Sequence, residues 1–113
     1  MKNSFRTYAL KFGGSSLADA SQFRKVSSII KSHEGRVFVV ASAPGKRSKE
    51  DTKVTDMLYA CHALAAEKKD YGKQLEAIKK RFSDIASEVG VSFDTEGEFS
   101  VIDAHLDKNP QRD

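Results

Sequence analysis

The chain of 113 residues has no tryptophan, two prolines, a single cysteine, and no apolar run near the roughly 20 residues that a membrane-spanning helix needs. Each shortage closes off a class of protein. Cys61, standing alone, cannot form an internal disulfide, so the chain is not a disulfide-stapled scaffold and agrees with a reducing compartment. The N-terminal segment MKNSFRTYAL carries basic residues but neither an apolar h-region nor a small-residue cleavage site, which predicts a cytoplasmic location and no membrane partner. The three histidines, His33, His62 and His105, are too scattered for ligand spacing, so no metal site is expected from them. Basic residues outnumber acidic ones, 19 to 16, but the excess is not concentrated. Its densest group, Lys46, Arg47 and Lys49, runs straight into Glu50 and Asp51 with no aromatic residue between, so a stacking platform is missing and nucleic acid is not an expected partner.

What remains is ordinary in amount: 39% hydrophobic and 31% charged residues, enough for one small soluble domain with one core. The order of elements is more informative. Thr7 to Phe12 (TYALKF) is a short apolar run closed by Gly13 and Gly14, and reads as a buried strand. From Asp19 the period changes: Phe23, Val26, Ile29 and Ile30 recur at helical spacing, predicting an amphipathic helix over 19–32 that Gly35 closes. RVFVVASA (36–43) is β-branched and apolar on both faces, the pattern of a central strand in a parallel sheet. Together these make a βαβ unit, the building block of an α/β fold.

PGKRSKEDTK (44–53) reads as an exposed, mobile loop. Two helices follow, one over about 55–69 with Met57, Leu58, Cys61, Leu64 and Ala65 on one face. The other spans about 71–89, where Tyr71, Leu75, Ile78, Phe82, Ile85 and Val89 step in fours and threes. Cys61 falls on an apolar face in mid-helix and is expected in the core, since a reactive thiol needs a basic or helix-N-terminal setting. Asp56 follows Thr55 at a helix start, where either could cap. GVSFDTEGEF (90–99) reads as a loop with a possible short strand, and a further helix could begin at Ser100.

The chemistry concentrates in ALKFGGSSLADA. Lys11 ends an apolar strand, where an ammonium loses hydration and needs a counter-charge. A strand that turns through Gly-Gly into a helix brings free backbone N–H groups and the positive end of a helix dipole to the same point. The glycines remove Cβ atoms so that a bulky anion can lie against the backbone, and Ser15 and Ser16 offer hydroxyls or a cap. A phosphate fits. At an effective dielectric near 20, a cation about 4 Å from a unit negative charge is worth on the order of 4 kcal/mol before desolvation. Residue types alone leave a second reading open: Gly13 and Gly14 make a tight turn and Lys11 snorkels to solvent. Neither KFGGSS nor APGKRS satisfies the common Gly-rich phosphate signatures.

Three blocks taken in order, KFGGSS after the first strand, VVASAPGKR after the second and TKVTDMLY opening the next helix, resemble the aspartokinases, members of the amino acid kinase family. The resemblance implies a three-layer α/β sandwich with a mainly parallel sheet, with residues 1–113 its incomplete N-terminal portion. It is strong over about the first 60 residues. It implies ATP and Mg2+ as cofactors, L-aspartate as substrate, and a homo-oligomeric full-length protein. By the same resemblance, Lys11 contacts the transferring phosphates as the catalytic cation, and Phe12, Gly13, Gly14 and Ser15 form the phosphate-binding loop. Ser42 and Thr55 lie against aspartate, with Thr52 the alternative to Thr55.

The implied reaction moves the γ-phosphoryl group of ATP to the β-carboxylate of aspartate, in a pathway of amino acid biosynthesis such as that of lysine. Charge neutralisation and positioning suffice, because the carboxylate nucleophile is already ionised at pH 7. The adenine-binding half and the ACT regulatory domains are not found in the sequence, so these 113 residues alone are expected to be inactive. Two other readings stay open. One is a relative phosphorylating glutamate, acetylglutamate, carbamate or a nucleotide; the other is a noncatalytic α/β binding or assembly module with exposed sheet edges.

Overall fold

The computed structural model describes residues 7–35 and 38–108. Strand β1 (Ala9–Phe12) leads through a 3-10 turn (Gly14–Leu17) into helix α1 (Ala20–Lys31), which returns the chain to strand β2 (Phe38–Ala41). The two strands are parallel, with Ala9 opposite Phe38, Leu10 opposite Val39, Lys11 opposite Val40 and Phe12 opposite Ala41. Helices α2 (Val54–Ala66), α3 (Gly72–Val89) and α4 (Thr95–Lys108) follow.

Local sequence explains most of the boundaries. Asp19 adopts an extended conformation and its carboxylate accepts from the Gln22 amide at 3.0 Å, satisfying an orphan donor at the start of α1. At the other end the helix stops at Ser32, whose backbone N–H donates to Ile29, and Gly35 lies three residues further on. Helix α3 ends at Gly90, which takes the left-handed conformation at φ 80° that a glycine adopts without Cβ strain.

The seam expected along α3 is the one that packs: Leu75, Ile78 and Ile85 are buried and Tyr71, Phe82 and Val89 half-buried. Ile78 meets Val54 and Cys61 from α2 and Phe99 from α4 in a core to which Met57, Leu58, Ile102 and Leu106 add their partly covered side chains. Cys61 is fully buried there, and burial pushes its thiol up from the ordinary range.

Three expectations are corrected. Residues 90–99 hold no strand, and the last helix begins at Thr95 rather than Ser100. Asp94 starts it by accepting from the Gly97 amide at 3.0 Å, and Phe99, Ile102 and Leu106 then form a helical stripe over the core. Neither Thr55 nor Asp56 caps α2; Lys53 occupies the cap position without a side-chain bond, and the Val54 amide donates to the Pro44 carbonyl instead. The strand expected to be central, β2, has β1 as its only strand neighbour among the described residues. Phe38, Val39 and Val40 are exposed. An apolar run on both faces fits a parallel sheet covered on both sides, and the described residues supply only two of its strands. Residues 36 and 37 of the expected strand lie outside the described residues.

Candidate phosphate-loop site

Backbone pairing brings the three motif blocks to one end of the two-stranded sheet. The Ser42 amide, just past β2, donates to the Phe12 carbonyl at 3.0 Å, which carries the parallel ladder to the last residue of β1. One step on, the Gly45 amide donates to the Gly14 carbonyl at 2.8 Å. The Val54 amide, opening α2, reaches the Pro44 carbonyl at 2.9 Å. Three bonds thus gather residues 11–15, residue 42 and the first turn of α2.

Within that cluster the candidate residues differ in posture. Strand alternation puts Lys11 and Phe12 on opposite faces, so Lys11 is exposed while Phe12 is buried. The sequence predicted a cation inside a buried strand; with two strands in the described sheet, the Lys11 ammonium has solvent around it. Phe12 offers a side chain to packing and its carbonyl is taken by Ser42, so the ring stands away from the Lys11 face. Ser15, Ser42 and Thr55 are exposed. Thr55 sits in the first turn of α2, where the helix dipole favours an anion. Thr52 is also exposed, but its carbonyl is occupied, accepting from Arg81 at 3.1 Å.

The glycines are not equivalent. A Cβ on Gly13 would meet nothing within 4 Å, and its backbone (φ −78°, ψ 177°) suits any residue. On Gly14 a Cβ would lie 3.1 Å from the Ala43 carbonyl oxygen and 3.2 Å from Gly45 Cα. On Gly45 it would lie 2.6 Å from the Gly14 carbonyl carbon, inside any permitted contact. Gly14 and Gly45 therefore stand backbone to backbone, and of these three glycines Gly13 alone has a bare, open surface.

Sequence reasoning missed what fastens this arrangement. The stretch 44–53, read as an exposed and mobile loop, is held at several points: Pro44 and Gly45 are buried, and Asp51 takes a two-pronged bond from the Arg47 guanidinium at 2.7 and 3.0 Å as well as one from the Arg47 amide at 2.9 Å. Those hydrogen bonds hold the Asp51 carboxyl well below the usual carboxylate range. Beneath the loop lies Arg81 of α3, only 4% exposed, which donates from Nη2 to the carbonyls of Ala18 (2.9 Å) and Gly45 (2.8 Å) and from Nη1 to that of Thr52. Burial, and then the Arg47 cation, lower its pKa, yet a guanidinium stays charged. The missed signal was positional: Arg81 stands three residues after Ile78 and four before Ile85, on the apolar seam itself.

Among the described residues no cluster of three histidine, cysteine or acidic side chains could hold a metal ion. A 570 Å³ apolar groove between α1 and α3, lined by residues including Phe23, Phe82, Ile85, Val89 and Phe93, contains none of the candidate residues. No helix among the described residues is long and apolar enough to cross a membrane.

Comparison with known proteins places this geometry. Residues 6–104 match the model of the amino acid kinase family. Aspartokinase 3 of Bacillus subtilis (strain 168) is 46% identical over 80 residues, which are 71% of this chain and 18% of that protein. The crystal structure of Clostridium acetobutylicum aspartate kinase, described as an allosteric enzyme, superposes with a TM-score of 0.86 at 37% identity, over 89% of this chain and 23% of that one. The chain thus spans about a fifth of the length of these relatives. The small parallel sheet with four helices is the α/β architecture of an incomplete amino acid kinase fold, as the sequence implied.

Proposed function

Because this chain belongs to the amino acid kinase family, we propose that it forms the phosphate loop and part of the acidic-substrate pocket of an aspartate kinase. The observation that supports this most is the convergence of KFGGSS, SAPG and VTD at one sheet end through the Ser42–Phe12, Gly45–Gly14 and Val54–Pro44 hydrogen bonds. In α/β sheets that end is where ligands bind.

The residues present suit a nucleotide phosphate. Gly13 offers bare extended backbone with open space above it, and Lys11 an exposed ammonium on the strand that leads there. Lys11 would lie against the transferring phosphoryl oxygens and offset charge as it grows on them, while the Gly13 to Ser15 backbone fixes the phosphate chain. The Ser42 and Thr55 hydroxyls would orient the aspartate, its carboxylate favoured by the first turn of α2. Bound Mg2+ would neutralise charge on the phosphates. No side chain need take a proton, since the attacking carboxylate is already ionised. The setting we infer is a cytoplasmic homo-oligomer serving amino acid biosynthesis.

The test is ATP-dependent aspartyl-hydroxamate formation by the protein made from the complete gene, with aspartate and glutamate compared. Lys11→Ala should lower kcat by at least about 10²-fold, the scale on which one transition-state charge contact acts. A Lys11→Ala enzyme at wild-type rate, or a preference for glutamate, would refute the assignment. The 113 residues alone should form no hydroxamate.

A further inference from the structure

We propose that Arg81 is a positioning residue for the phosphate loop, fixing the relation between the nucleotide-facing and aspartate-facing segments. The proposal rests on the functional reading above. Its observation is the set of partners: one guanidinium binds the carbonyl of Ala18, after the glycine turn, and those of Gly45 and Thr52, near the two ends of the 44–53 loop. Ala18 closes the 3-10 turn that Gly13 and Gly14 open. Gly45 is the residue whose amide holds the Gly14 carbonyl, so the bond from Arg81 passes through Gly45 to the phosphate loop. Thr52 lies two residues before Val54, where α2 begins and delivers Thr55.

Packing does not call for an arginine there. Arg81 lies on the seam that Ile78 and Ile85 fill with hydrocarbon, and an apolar side chain at that position would avoid the cost of desolvating a cation. Nor is it a conventional ion pair, since Asp51 is 4.0 Å away and already bound by Arg47 in two-pronged fashion. What only a guanidinium supplies is a rigid planar fork with several donors at fixed angles. A lysine ammonium carries the same charge but cannot span three carbonyls with that geometry. Arg81 touches no reacting atom in this scheme; it acts through the loops it holds.

The experiment uses the protein from the complete gene and compares Arg81→Lys with Ile78→Val, a volume change in the same helix away from the carbonyls. Well below the melting temperature, Arg81→Lys should raise the KM for ATP at least about tenfold, and Ile78→Val should melt earlier with KM unchanged. Arg81→Gln, which keeps two donors without charge, serves if Arg81→Lys does not fold. Amide exchange gives a readout that needs no variant: the Gly45 N–H of the wild type should exchange as slowly as amides inside α3. Wild-type KM in Arg81→Lys, while Lys11→Ala is crippled, overturns the proposal alone. Fast exchange at Gly45 overturns it too. An intact Lys11→Ala enzyme would remove the functional reading, and the proposal with it.

Discussion

Replacing Gly13 by alanine separates a glycine kept for the fold from one kept for a ligand. The new methyl group would have nothing within 4 Å, and φ −78° with ψ 177° is relaxed extended backbone for alanine. Folding alone therefore predicts no loss, and a gain of about 0.4–1 kcal/mol from the stiffer unfolded chain. If phosphate lies on this backbone, the methyl blocks its approach and a charge-assisted bond worth about 1.5–3 kcal/mol is lost, a roughly 10- to 100-fold weaker affinity. The expected result is a melting temperature equal to or above wild type with ATP affinity down by at least tenfold, read by thermal unfolding and by titration calorimetry on the protein from the complete gene. Gly45→Ala is the converse case. Its Cβ at 2.6 Å from the Gly14 carbonyl carbon must move about 0.8 Å to reach ordinary contact at 3.4 Å, and its neighbours are all backbone. Overpacking of that kind costs about 1–3 kcal/mol, so Gly45→Ala should lose stability and activity together. A Gly13→Ala protein that binds ATP as wild type does would refute the reasoning, because phosphate would then lie elsewhere.

Two further outcomes follow from titrating groups. Asp51 is held below the usual carboxylate range by Arg47, so its contribution is present above about pH 4, the unfolded value, and falls away as pH drops towards the folded one. Asp51→Asn should cost about 1 kcal/mol at pH 7 in denaturant unfolding, and its stability should approach wild type in acid; a constant gap across that range would rule out the ion pair as its source. Tyr71 donates to Asp103 Oδ1 at 2.5 Å, and that bond, followed by burial, pushes its pKa up from 10 to about 12. Here the stabilisation is full below pH 10 and lost as pH rises towards 12, so the wild type should outlast Tyr71→Phe at pH 8 and lose that advantage above pH 11. Equal stability at pH 8 would remove the bond from the account of how α3 holds α4.

The elements that could be read from sequence are those whose signal lies within one segment. The start of α1 near Asp19 and the seam of α3, stepping in fours and threes, are local, and the structure has both, although the cap of α1 is Asp19 and not Ser15 or Ser16. The first turn of helix α4 was lost to a local conflict. Gly97 lowers helix propensity, and VSF before it alternates as a strand would, so the stripe of Phe99, Ile102 and Leu106 was truncated at its start. The exposure of Val39 and Val40 depends on neighbours that strand composition cannot count. Their pattern is that of a strand covered on both faces, and it could not say how much of that cover the described residues provide.

The site divides along the same line. Lys11, Gly13 and Gly14 announce themselves because a cation beside two glycines at a strand end is a local anomaly with a chemical reason. Gly45 does not, since a glycine after proline reads as a turn; its need arises from Gly14, 31 positions earlier, whose backbone it touches. Arg81 lies 29 to 63 positions from the carbonyls it holds, and in one dimension it is a polar break in an apolar seam, which an exposed helix face would also produce. The two possibilities differ by burial alone. At 4% exposure a charge must find partners, and three backbone carbonyls from two connecting segments are what α3 brings within reach. A buried cation on a predicted apolar stripe is therefore a reason to look for carbonyls converging from distant loops, and here those loops adjoin the residues assigned to phosphate and aspartate: Gly13 to Ser15 precede Ala18, Ser42 precedes Gly45, and Thr55 follows Thr52.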